Sequence, residues 1–186
     1  MFLEPSLLSM AIAKLRGGKL KNLSNVEFKG YFLFISAFLL QGLLAFLNSS
    51  DYSVIKYFIS NYSYFMILLS YTMMIVASLI NFRKVYMRLF LIGIILNFIV
   101  IMANGGKMPV YFSPRLNIEE TVIEEREYDI IHTGVDENTK LVFLADIITI
   151  PKPYPLPKIL SIGDVFIMAG VFMFFQKEML SDLSQT

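Results

Sequence analysis

Three long apolar runs constrain this chain more than any other feature. They extend from Gly30 to Leu47, from about Tyr62 to Ile80 and from about Leu89 to Ala103. A helix needs about 20 residues to cross about 30 Å of hydrocarbon, which each run approaches with its flanking residues. Charged residues make up only 17% of the chain, against about 25% in an ordinary soluble domain. The pattern predicts helices that cross a lipid bilayer.

Two further apolar stretches leave the number of crossing helices open. Residues Ile162 to Phe175 form a shorter fourth run, and Ser6 to Leu15 is short enough for either an interfacial helix or a first span. We therefore expect an all-α integral membrane protein of four to five transmembrane helices. It forms a single membrane domain over residues 1–186, with one extracytoplasmic loop segment between the last two helices.

The distribution of basic residues predicts which loops face the cytoplasm. Five Lys and Arg residues precede the first long run and three separate the second from the third: Lys14, Arg16, Lys19, Lys21, Lys29, Arg83, Lys84 and Arg88. Such loops stay on the cytoplasmic side of a cell membrane. The loop from Asn48 to Asn61 and the segment 104–160 then lie outside. The latter is acidic from Glu119 to Asp129 and contains a Pro at every second position from Pro151 to Pro157.

Composition excludes several classes of function. The net charge is +1, which provides no general basic field for nucleic acid. The chain has no cysteine and a single histidine, so thiolate and multi-histidine metal sites are excluded. We expect no cofactor and no metal. The expected partners are the lipid bilayer and a second membrane protein.

Asp146 and Asp164 are the candidate catalytic pair, since each lies inside an apolar run near the outer membrane face. A carboxylate there pays a desolvation cost and is a functional candidate by default. Two adjacent carboxylates can share one proton, so that one activates water while the other acts as an acid. A structural alternative is favoured for Asp164 alone, because Ser161 stands three residues before it in the form of a helix capping box.

Candidate binding residues lie in the same outer segment. Asn104, Gly105 and Gly106 form a turn that can present backbone amides to a ligand, although a glycine cap of the preceding helix is the favoured interpretation. His132 is a candidate binding residue and pH sensor, since histidine is the side chain suited to that role, but a lone loop histidine is more often simply solvated. The acidic run is either a cation or partner site or a solvated face, which is the usual case.

Part of the chain resembles the lipoprotein signal peptidases. The similarity lies in LADII at 144–148, SIGDVFIMAG at 161–170 and the Asn-Gly-Gly turn at 104–106. It implies a four-helix membrane aspartyl protease with Asp146 and Asp164 as its dyad at the outer face. Ser161 and Gly163 stand where that family has Asn and Ala, and its Gly-Asn-x-x-Asp-Arg motif is absent.

A second resemblance covers nearly the whole chain. The segments LRGGKL at 15–20, NGGKMPV at 104–110, TKLVFLAD at 139–146 and SIGD at 161–164 are similar to a family of small polytopic bacterial membrane proteins that is a domain of unknown function. It implies a location but no activity. We expect a membrane subunit or binding protein with an outer-face site around Asp146 and Asp164. An intramembrane aspartyl-dyad hydrolase is the alternative, and the sequence does not decide whether the protein is an enzyme.

Overall fold

The computed structural model describes residues 3–48, 52–111, 131–151, 153–154 and 157–181, and these are mostly helical. The α-helices within these ranges are α1 (Leu3–Leu15), α2 (Tyr31–Asn48), α3 (Ser53–Ile80), α4 (Val85–Ala103) and α5 (Ile162–Met179). Short 3-10 helices cover Leu20–Asn25 and Val142–Leu144. The strands described between α4 and α5 are β1 (Met108–Val110), β2 (His132–Gly134), β3 (Ile148–Ile150) and β4 (Lys158–Leu160).

Among the described residues, three helices are long and apolar enough to cross a membrane. They are α2, α3 and α4, with 18, 28 and 19 residues. Their positions match the three long apolar runs, so the prediction of helices long and apolar enough to cross a membrane is confirmed for these elements. Helix α5 also has 18 residues, but Asp164, Lys177 and Glu178 lie in its first and last turns.

Helix α3 begins at Ser53 rather than near Tyr62, so the loop predicted from Asn48 to Asn61 is mostly helix. At 1.5 Å per residue, α3 is about 42 Å long and exceeds the roughly 30 Å of hydrocarbon. Its first turns are interrupted by Lys56 and expose Tyr57 and Tyr62. Tyrosine is enriched where membranes meet water. These first turns precede the apolar run from Tyr62 to Ile80, so the run alone did not predict where α3 begins.

The described residues are mostly helical, as predicted, but those between α4 and α5 include two small sheets that the all-α class did not anticipate. Strand β1 pairs in parallel with β2, and Val110 also bridges to Asp146. Strands β3 and β4 are antiparallel, with Ile148 opposite Leu160. The chain therefore reverses its direction between β3 and β4. Strands of three residues are too short to leave a period-two pattern in the sequence.

Helix α4 is the centre of the bundle, because it packs against both α3 and α5. Near the outer segment, Leu144 joins a buried cluster with Ile67 of α3 and Val100 of α4. The apolar segment from Leu141 to Ile150 is thus buried at Leu144 but exposed at Ile147 and Ile148.

Helix α1 runs parallel to α5 along the side of the bundle. Glu4 forms an ion pair with Lys158 just before α5 begins. Further along, Ser9 Oγ donates a hydrogen bond of 2.6 Å to the carbonyl of Phe172. At the other end, the Lys19 amide donates to the Met179 carbonyl. The first turn of α1 therefore lies at the same end of the bundle as β4.

Candidate functional site

The carboxylate of Asp164 lies at the start of α5 in a closed hydrogen-bond network. Ser161 is the N-cap: its Oγ accepts a hydrogen bond of 2.9 Å from the Asp164 amide, and its own amide donates to Asp164 Oδ2 at 3.1 Å. Asn97 of α4 donates from Nδ2 to Asp164 Oδ1 at 2.9 Å. Ser161 Oγ in turn donates to Asn97 Oδ1 at 2.8 Å. Both carboxylate oxygens are therefore engaged, and the structural alternative for Asp164 describes the observed geometry.

Close packing of α5 on α4 positions this network. A Cβ on Gly163 would lie 2.0 Å from Asn97 Oδ1, and one on Gly93 would lie 2.4 Å from the Gly163 carbonyl oxygen. Only glycine at both positions lets the Asn97 side chain reach the first turn of α5. Ser161, Asp164 and Asn97 are all buried, so their mutual bonds offset the cost of removing them from water.

Sequence reasoning missed Asn97, which supplies half of the network's side-chain bonds. The available signal was a lone Asn inside the apolar run of α4, since a polar side chain in a membrane segment usually faces the bundle interior and finds a partner there.

Asp146 is held at the edge of β1 by its backbone. Its amide donates to the Pro109 carbonyl at 2.9 Å, and its carbonyl accepts from the Tyr111 amide at 2.9 Å. Its side chain is buried. Asp146 bridges to Val110 just after α4, and Asp164 bonds to Asn97 in the second half of α4, so the two carboxylates lie at the same end of the bundle. Their pairing as a catalytic dyad stays a prediction.

The Asn104 turn joins α4 to the outer segment. Gly105 and Gly106 have φ angles of 69° and 88°, which favour glycine, and the Gly106 amide donates to the Ile101 carbonyl at 2.9 Å. This is the glycine cap that the sequence favoured. The Asn104 side chain donates to the Lys140 carbonyl and accepts from the Lys140 amide, each at 2.9 Å. The Asn104 side chain therefore pairs with the backbone of Lys140, 36 residues later in the chain, through one donated and one accepted hydrogen bond, as a neighbouring β-strand would.

The remaining predicted residues are more dispersed. His132 lies in β2, paired with Met108 and partly buried, rather than in a solvated turn. The acidic run from Glu119 to Asp129 lies outside the described residues. Within the described ranges, no three His, Asp or Glu side chains are grouped closely enough to hold a metal ion.

Comparison with known proteins assigns the chain to a family. The model of a family described as a family of unknown function, DUF5317, matches residues 25–176. The chain belongs to the DUF5317 family. A Thermotoga maritima protein described as uncharacterized is 28% identical over 175 residues, which cover 94% of this chain and 90% of that protein. No solved structure matches.

The DUF5317 match confirms the predicted membership of a domain of unknown function. It extends from Asn25, at the end of the first 3-10 helix, into the last turns of α5. Both the network around Asp164 and the Asn104 turn therefore lie inside the part of the chain that defines the family. Helix α1 precedes the matched region.

Proposed function

We propose that this DUF5317 protein is a membrane-embedded binding subunit whose outer segment contacts a partner membrane protein. The observation that carries the proposal is the engagement of both Asp164 carboxylate oxygens by Ser161 and Asn97. A carboxylate held this way fixes the start of α5 on α4. Both oxygens of the Asp164 carboxylate are already bonded within the protein. Its role in this proposal is therefore to hold the two helices together rather than to transfer protons.

The outer segment has the properties of a contact surface on that support. Asn104 fixes it through Lys140, and Leu144 anchors it in the buried cluster at the helix ends. The side chain of Phe143, between Lys140 and Leu144 in the sequence, is 61% exposed, and that of Tyr111, just after β1, is 49% exposed. Exposed aromatic side chains on a rigid backbone are the usual anchors of protein interfaces.

The finer topology belongs to the same proposal. Helix α5 accompanies α4 in the antiparallel direction from Gly163, which lies against Gly93, to Glu178, which accepts a hydrogen bond from the Tyr86 hydroxyl. We infer that it crosses the membrane as the fourth span, with its charges confined to the end turns. Helix α1, about 20 Å long at 13 residues, enters from the outer side, and residues 16–19 carry the chain on to the other end of α5 at Met179. The basic loops lie in the cytoplasm and the segment 104–160 outside.

Site-specific crosslinking in native membranes tests the proposal. A photoreactive amino acid at Phe143 is expected to yield a discrete adduct with one membrane protein. The same group at Leu20, exposed at the opposite end of the bundle, serves as the matched control and should not yield that adduct. Equal adduct patterns from both positions, or no adduct from Phe143 while the protein purifies as a monomer, would contradict a partner at the outer segment.

A further inference from the structure

An open cleft of about 520 Å³ lies at the end of the bundle opposite to the outer segment. Its walls come from two parts of the chain that are about fifty residues apart. One is the segment before α2, which contributes Glu27 and Lys29, and the other is the connection from α3 to α4 around Arg83. The cleft therefore depends on tertiary structure and is not a property of one basic loop.

Asn81 builds the cleft by joining these two walls. Its Nδ2 donates to the Lys29 carbonyl at 2.7 Å and to the Ala77 carbonyl at 2.8 Å, and its Oδ1 accepts from the Lys29 amide at 3.1 Å. Asn81 is buried, so these bonds are shielded from water. They hold the backbone of Lys29 in place, which fixes where its side chain begins.

The polar lining of the cleft is basic. Lys29, Arg83 and Lys84 contribute three positive charges against the single carboxylate of Glu27. The ammonium group of Lys84 is held over the Phe28 ring, 4.6 Å from its centroid, and donates to the Glu27 carbonyl. In the described part of the chain, the side chains of Lys29 and Arg83 make no hydrogen bond or ion pair. Two cations are thus available to an anion, while Lys84 is fixed beside them.

The rest of the lining is apolar and open to the bilayer. Leu79 and Ile80, in the last turn of α3, are 53% and 48% exposed, and both line the cleft. We propose that the cleft binds an anionic phospholipid, with its phosphate between Lys29 and Arg83 and its acyl chains along Leu79 and Ile80. The proposal rests on α3 and α4 crossing the membrane, because this places the cleft at the level of the headgroups.

The charge and the position together favour a lipid over a soluble anion. Basic pockets between membrane helices on the cytoplasmic side are suited to acidic headgroups, because they combine charge attraction with acyl-chain contact. A soluble phosphate would use the cations but not the apolar wall. The proposed ligand is a phospholipid with a net negative headgroup, such as phosphatidylglycerol.

Native mass spectrometry of the full chain, released from detergent micelles with a defined lipid added, measures the binding. We compare phosphatidylglycerol with phosphatidylcholine of the same acyl chains, in the absence and presence of millimolar inorganic phosphate. The variants are the Lys29→Gln, Arg83→Gln double substitution, Glu27→Gln, and Lys56→Gln as a control that removes an exposed cation at the other end of α3. Thermal unfolding of each variant establishes that it is folded.

The expected results depend on the sign of the charge removed. Phosphatidylglycerol should bind in preference to phosphatidylcholine and should resist phosphate. The double substitution should weaken its binding about 25-fold, since each basic residue near a membrane surface contributes about fivefold. Glu27→Gln should strengthen binding, and Lys56→Gln should leave it unchanged. Equal binding of the two lipids, an unaffected double variant, or displacement of the lipid by phosphate would overturn the proposal, the last by identifying a free-phosphate site.

Discussion

At the scale of single residues, Asn97 couples two helices that are far apart in the sequence. It donates to Asp164 and accepts from Ser161, and all three side chains are buried. Removing one partner from a buried network leaves the others without a bond, which costs about 1–3 kcal/mol for each group. The network should therefore be a main determinant of how firmly α5 is held.

Ser161→Ala tests this expectation. The substitution removes the N-cap bond, which is worth about 1 kcal/mol, and also the donor to Asn97 Oδ1. We expect a loss of about 2 kcal/mol in the free energy of unfolding, measured by detergent-mediated denaturation of the purified protein. Ser60→Ala removes an exposed hydroxyl that bonds within α3, and it should cost no more than about 0.5 kcal/mol. Equal losses in the two variants would contradict a special role for the network.

The sequence was sufficient to predict the Ser161 cap, because the Ser-x-x-Asp spacing encodes both of its bonds locally. It was not sufficient to predict that Asn97 would complete the network. That contact joins residues 67 positions apart and depends on a close approach of two glycines. A local sequence pattern does not indicate which residues that are far apart in the sequence will be in contact.

At the scale of secondary-structure elements, glycine determines how closely α4 and α5 approach. The chain offers a matched pair for testing this. A Cβ on Gly93 would lie 2.4 Å from the Gly163 carbonyl oxygen, whereas one on Gly42 of α2 would meet no atom of the described chain within 4 Å. Both residues are helical.

Gly93→Ala should push α4 and α5 apart and lower the free energy of unfolding by about 1–3 kcal/mol, the usual cost of overpacking. Gly42→Ala should be neutral or stabilising by up to about 1 kcal/mol, because alanine is the better helix former. Detergent-mediated denaturation of both variants gives the comparison. A Gly93→Ala protein as stable as the Gly42→Ala protein would refute the close approach.

The Asn104 side chain clamps the outer segment at Lys140 through two hydrogen bonds. Asn104→Ala should release the chain around residue 140 and raise its rate of limited proteolysis about tenfold, as expected for a loss of about 1.4 kcal/mol in local stability. Asn138→Ala changes an exposed side chain of the neighbouring turn and serves as the control. Unchanged cleavage in Asn104→Ala would show that the strands hold the segment without the clamp.

The helices and the outer segment differed in how far the sequence could describe them. The apolar runs were sufficient to locate α2, α3 and α4. A helix that can cross a bilayer must have a minimum length and a nearly continuous apolar sequence, and both are visible in the sequence. The first turns of α3 and the four short strands were missed. Their positions follow from tertiary contacts, such as that of β1 with Asp146, rather than from a repeating pattern.

At the scale of the whole molecule, the account depends on the orientation of the bundle. The outer contact surface and the headgroup cleft require α3 and α4 to place residues 138 and 83 on opposite sides of a membrane. The fourth span requires α5 to separate residue 138 from residue 181. The chain contains no cysteine, so a single introduced thiol reports its location without a background.

Labelling of single-cysteine variants in intact cells with a membrane-impermeant maleimide is the most direct measurement. Cysteine in place of Asn138 should react at once. Cysteine in place of Arg83 or of Ser181 should react only after the membrane is permeabilised. Labelling at Ser181 together with Asn138 in intact cells would mean that α5 does not cross. Labelling at Arg83 with protection at Asn138 would mean that the whole topology is inverted.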